Sequence, residues 1–159
     1  LELNGISASV TFNITLGTYP GNHTISDFPK TSSDLHVYFN GLNGVSFRMM
    51  PENNYSYENY FFRLVGAKNL HFNGIDMALI PNNHQSTFFV LDGRCEGVSI
   101  SESSFNMTNA QSQTNTGIST GDFQGLDLTV SDCTFTGGST GIYIPGYYWA
   151  TLSYTGVDV

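Results

Sequence analysis

Basic residues are scarce in this chain: Lys30, Arg48, Arg63, Lys68 and Arg94 stand against thirteen carboxylates, a formal charge of −8 over 159 residues. Nucleic-acid binding needs clustered Lys and Arg to neutralise phosphates, so that class is set aside. No stretch approaches the roughly 18 consecutive apolar residues of a spanning helix, so no membrane insertion is expected. Cysteine is limited to Cys95 and Cys133. No zinc-type spacing and no nucleophilic triad can be assembled from what is present. A run of apolar residues at helical spacing is also missing, which leaves little room for helices.

What is present is alternation, written three times. Residues 69–77, 97–105 and 127–135 each read as a short strand, a polar break and a second short strand. Leu70, Val98 and Leu128 recur at intervals of 28 and 30 residues, the signature of coil stacked on coil. Within the copies the alternating residues are Leu70, Phe72, Ile75 and Met77; Val98, Ile100, Ser103 and Phe105; Leu128, Val130, Cys133 and Phe135. A two-residue period puts each set on one face of a pleated backbone, so these are inward ladders. A further apolar run lies between copies, at 60–65, 87–91 and 141–144. An antiparallel sandwich would account for the strands but not for the 28-residue recurrence.

The expected fold is therefore all-β, a right-handed parallel β-helix of about five coils of roughly 28 residues with three strands per coil. Residues 1–159 form a single domain, read as a processed chain or a segment of a longer protein, because it opens on Leu1 and stays strand-like to Val159. At ~4.8 Å per layer the stack is roughly 25 Å tall. Ends without polar caps invite a neighbour, so self-association through the solenoid ends is expected. The contact residues are Val10, Phe12 and Ile14 in the clean alternation of 7–16, and Tyr147, Tyr148 and Trp149 near the other end. Tyr55, Tyr57 and Tyr60 form a second aromatic group suited to sugar faces or to a corner.

Sequons place candidate N-glycosylation at Asn13, Asn22, Asn54 and Asn106, which points to an extracellular or cell-surface setting. In the repeat register Cys133 falls on the inward ladder, matching Ser103, and Cys95 at a corner, so a buried thiol at Cys133 and no bridge are expected. Asp76, Glu102 and Asp132 occupy comparable positions in their coils. They form a candidate outward acidic ladder, and calcium is the cation that hard oxygen ligands would suit.

Residues 10–19, the 24–28 strand and residues 60–72 resemble the pectin-lyase-like β-helix modules of large secreted bacterial surface proteins. The resemblance covers most of the chain and implies the fold more strongly than a function, since such modules include polysaccharide lyases, hydrolases and adhesins. It implies that a polygalacturonase-like member would carry paired aspartates and a Gly-His-Gly signature, yet there is no Asp-Asp pair here and none of His23, His36, His71 or His84 lies between glycines. It implies that a lyase-like member would join calcium-binding acids to a basic residue. Asp76, Asp92, Glu102, Asp122 and Asp132 with Arg63 or Arg94 are the residues available for that, and no catalytic residue is assigned. The expected function is an extracellular structural or adhesive β-helix module, with head-to-tail assembly into a surface fibre. The alternative is a glycan-binding protein or a calcium-dependent, polysaccharide-lyase-like one, with carbohydrate as partner.

Overall fold

The computed structural model describes residues 8–15, 17–20, 22–26, 34–50, 59–79, 85–108, 115–145 and 150–158. Among these described residues twelve strands occur in chain order: β1 (Val10–Ile14), β2 (Gly17–Pro20), β3 (His23–Ser26), β4 (Val37–Met50), β5 (Tyr60–Val65), β6 (Leu70–Leu79), β7 (Thr87–Ser101), β8 (Ser104–Asn106), β9 (Thr116–Ser131), β10 (Thr134–Thr136), β11 (Thr140–Tyr143) and β12 (Ala150–Thr155). Every strand pairing is parallel. Among the described residues there is no helix, and so none long and apolar enough to cross a membrane.

The pairings sort into three faces. The first stacks β1, the start of β4, the start of β6, the end of β7, the end of β9, and β12. The second stacks β2, the rest of β4 and of β6, then β8 and β10. The third stacks β3, β5, the start of β7, the start of β9, and β11. Long strands such as β7 bend around a corner and serve two faces, which the register shifts between Leu91 and Val98 mark. The result is a parallel solenoid of about four turns, fewer than the five that the spacing implied. The short strands β1–β3 form a thin layer at one end and β12 lies at the other. The coils are unequal in length: successive register partners along the first face are 27, 33, 28, 30 and 24 residues apart, from Thr11 through Tyr38, His71, Ser99 and Thr129 to Ser153.

The inward ladders are the sequence ladders. Leu70, Phe72, Ile75, Met77, Val98, Ile100, Phe105, Leu128, Val130, Cys133 and Phe135 are all buried. In-register parallel strands set like side chains one layer apart, so aromatic rings stack along the axis. Phe12, Phe39 and Phe72 form one column, with centroids 5.2 and 4.9 Å apart and planes within 15°. Phe105 and Phe135 form another at 4.7 Å. Each such pair contributes about 0.5–1.5 kcal/mol beyond the area it buries.

The inward Ser103 and Cys133 are satisfied locally. Ser103 donates its hydroxyl to the Ser101 carbonyl at 2.7 Å and accepts the Ile75 N–H at 3.1 Å. One layer on, the Cys133 thiol approaches the Ser131 carbonyl at 3.2 Å in the same geometry. Both cysteines are free and buried, Cys95 included. In four layers the chain leaves the first face through a left-handed residue: Gly74, Glu102, Asp132 and Gly156, at φ of 64°, 50°, 52° and 60°. That conformation turns the backbone without reversing it, and glycine takes it at no steric cost.

Candidate functional site

The outward side of the first face is where chemistry-bearing residues gather. Alternation dictates this: if Phe39, Phe72, Ile100 and Val130 point in, their neighbours point out. The register then defines three rows. One runs Thr11, Tyr38, His71, Ser99, Thr129, Ser153. A second runs Asn13, Asn40, Asn73, Ser101, Ser131, Thr155. The third, one residue before the strands pair, holds His36, Asn69, Gly97, Asp127 and Thr151.

At one end of this face the aromatic groups are tied together. Tyr38 and His71 stack one layer apart, centroids 4.8 Å and planes 24°. His71 Nε2 lies 2.7 Å from His36 Nδ1, so one ring donates its N–H and the other accepts. The other nitrogen of His71 is 2.7 Å from Ser99 Oγ. His71 is thus held at both nitrogens, and burial, followed by the charge of His36, holds it below the ordinary imidazole value of 6.5. In the next row Ser101 Oγ donates to Asn73 Oδ1 at 2.9 Å.

The other end of the face opens into a pocket of about 320 Å³ bordered by Arg94, Glu96, Leu126, Asp127 and Thr151. Glu96 is clamped between Lys68 Nζ at 2.8 Å and Arg94 Nε at 2.5 Å. The Lys68 bond is the main reason its carboxyl titrates below the usual range. Asp127 accepts the Gly97 N–H at 3.2 Å through Oδ2 and is exposed. On the third face Arg63 pairs with the buried Asp92 and lies over the Tyr60 ring at 5.9 Å.

The expected site residues are distributed as follows. Glu102 and Asp132 do stack, at the left-handed corner and both exposed. Asp76 does not join them. Its register partners are Ser104 and, one layer further, Thr134, two residues past the corner, and its Oδ1 accepts the Ser104 hydroxyl. The equal-position ladder is corrected on this point, because the layer containing Asp76 has Gly74 at the corner instead of an acid. Calcium needs six to eight converging oxygens, and among the described residues no three His, Cys, Asp or Glu side chains converge on a cation position. Among the described residues, Asp76, Glu102 and Asp132 do not converge as a calcium centre requires. Of the looser acid–base set, Asp92 meets Arg63, whereas Arg94 meets Glu96.

Asn13 is exposed on the second outward row. Asn22 is half-buried at a φ of 69°, and its Oδ1 accepts the Tyr60 N–H at 3.4 Å. Asn106 is exposed, with Oδ1 accepting both the N–H and the hydroxyl of Thr108 at 3.0 and 2.6 Å. Val10, Phe12 and Ile14 take inward positions on β1, half-buried against the core. Asn54, Tyr55, Tyr57, Tyr147, Tyr148 and Trp149 lie outside the described residues.

The His36–His71–Ser99 chain was not anticipated from sequence. Extending the repeat register would have aligned His71 with Ser99, but His36 reaches His71 diagonally across layers, and no strand period reports that contact.

A family model described as "Rhamnogalacturonase A/epimerase, pectate lyase-like" matches residues 21–157. No curated protein and no solved structure gives a significant match. The chain belongs to this pectate-lyase-like family, in agreement with its parallel solenoid.

Proposed function

With membership of that pectate-lyase-like family as premise, we propose that the chain is an extracellular β-helix module that binds carbohydrate and acts structurally, as an adhesive element, rather than cutting its ligand. The observation that carries this reading is the first outward face. It presents a stacked Tyr38–His71 platform beside rows of hydroxyl and amide side chains. Aromatic faces accept the apolar faces of sugars, and Asn, Ser and Thr both donate and accept, as sugar hydroxyls do.

Glycoside hydrolysis by two carboxylates asks for a facing pair about 5–10 Å apart. Among the described residues the three outward rows carry one carboxylate, Asp127, and the other carboxylate bordering the adjoining pocket, Glu96, is held by Lys68 and Arg94. Co-sedimentation with insoluble polysaccharides, paired with an assay for new reducing ends and for unsaturated products, tests the reading. Retention without product supports it. Product formation overturns the non-catalytic part, and failure to bind any polysaccharide overturns the whole.

A second reading, assembly into a fibre, is favoured by Leu152 and Tyr154. They continue the inward ladders of Leu128 and Val130, yet they are 37% and 43% exposed. Sedimentation velocity over a concentration series tests it, and a single small species at every concentration overturns it.

A further inference from the structure

We propose that the ligand of the first outward face is a neutral saccharide, and that polymers of uronic acids are excluded. The inference rests on the carbohydrate-binding reading above and specifies its ligand class. It starts from the cations. A sugar carboxylate is recognised by a bidentate Arg, by a Lys, or through a bridging divalent ion. Among the basic residues whose side chains are described, Arg63, Lys68 and Arg94 are each ion-paired to a carboxylate of the chain itself, Arg63 to Asp92 and the other two to Glu96. None of these three belongs to the outward rows, which hold Tyr, His, Asn, Ser, Thr and Gly side chains together with Asp127; Arg94 borders the pocket at the end of the face, where Glu96 engages it.

The ion-bridged route is equally poor. Glu102 and Asp132 sit at the corner with Asp76 displaced from them, and among the described residues no three acids converge. The field of the whole chain acts in the same direction. At −8 overall, the surface repels a polymer carrying one negative charge per sugar, and Asp127 at the edge of the face lies well within the ~8 Å over which charge is felt at physiological salt.

Neutral sugars avoid these penalties and use what is present. Successive layers are ~4.8 Å apart, a step close to the length of one pyranose unit, so an extended chain laid along the solenoid axis meets a fresh set of hydroxyl and amide groups at each layer. Tyr38 is 37% exposed and forms the open side of the aromatic platform.

The test is a binding panel with the intact chain at neutral pH and physiological salt. Neutral polymers (galactan, arabinan, mannan, xylan and β-glucan) are set against polygalacturonate, rhamnogalacturonan and alginate, each with and without added calcium. Binding confined to neutral polymers supports the inference. Binding to a uronic polymer, in calcium or out of it, overturns the inference while the carbohydrate reading stands. Binding to nothing overturns the carbohydrate reading and the inference together. The site itself is tested by Tyr38→Ala, expected to weaken neutral-polymer binding about three- to tenfold. Saturation-transfer NMR on the unmodified chain supplies the same information should that variant not fold, since the Tyr38 and His71 ring protons must contact the sugar. Unchanged affinity in a folded Tyr38→Ala, or no transfer to these rings, overturns the assignment to this face.

Discussion

His36 Nδ1 and His71 Nε2 lie 2.7 Å apart, in adjacent layers and 35 residues apart in the chain, with His71 further tied to Ser99. A bond of this kind holds one proton between two rings and opposes a second. Because His71 titrates below 6.5 in the folded chain, the unfolded chain takes up the proton first as pH falls. Its contribution to stability is complete above 6.5 and is lost progressively below that value, towards the lowered folded one. Thermal melts from neutral pH downward should show a falling Tm that is flatter in His71→Gln. An identical slope in the two proteins would refute this coupling.

Phe72 is fully buried among Phe39, Phe62 and Phe89, with centroids 4.9 to 5.3 Å away. Truncation leaves a cavity in a layer whose neighbours are fixed by backbone pairing above and below, so they relax little. Phe72→Ala should cost about 3–5 kcal/mol in urea denaturation. A cost below about 1 kcal/mol would mean that the stack is not the core it resembles.

Glu102 holds a φ of 50° where the layers on either side place Gly74 and, beyond Asp132, Gly156. A non-glycine residue there costs about 1–2 kcal/mol, of which glycine's greater freedom in the unfolded chain gives back about 0.5–1. Glu102→Gly should therefore raise stability by roughly 0.5–1 kcal/mol, read as a higher urea midpoint at unchanged slope. A lowered midpoint would show that the Glu102 side chain has a role at the corner.

Gly121 has no room for a methyl group, because Asp92 Oδ1 occupies the place its Cβ would take. Gly121→Ala should destabilise, and Asp92→Ala should relieve much of that loss even though it also releases Arg63. A double-mutant cycle should give a coupling of about 1 kcal/mol or more. Strict additivity would place the strain elsewhere.

Cys95 and Cys133 are buried, and burial is the main cause that raises both thiols above their ordinary value. A thiolate is the reactive form, so both should resist alkylation in the folded chain and react fully in denaturant. Rapid labelling of native protein, followed by mass spectrometry, would contradict this placement.

Much of the fold was legible from period alone. Leu70, Phe72, Val98, Ile100, Leu128 and Val130 alternate and recur because parallel stacking repeats the same inward positions in every coil. The aromatic run at 60–65 and the run at 87–91 were read the same way, and they pair as β5 with β7. The start of β9 at Thr116 escaped, since Thr116, Gly117 and Thr120 are buried without being apolar.

The candidate site was less legible. Composition established that cations are few and that carboxylates prevail, which follows from counting and needs no fold. Only the tertiary structure could show that Arg63, Lys68 and Arg94, the basic side chains it describes, are ion-paired, that Asp76 stands apart from Glu102 and Asp132, and that Tyr38, His71, His36 and Ser99 meet. The physical reason is that alternation fixes which way a side chain points within its own strand. Its neighbour in the next layer depends on the length of the intervening coil, and the 33- and 28-residue steps around His71 set that register.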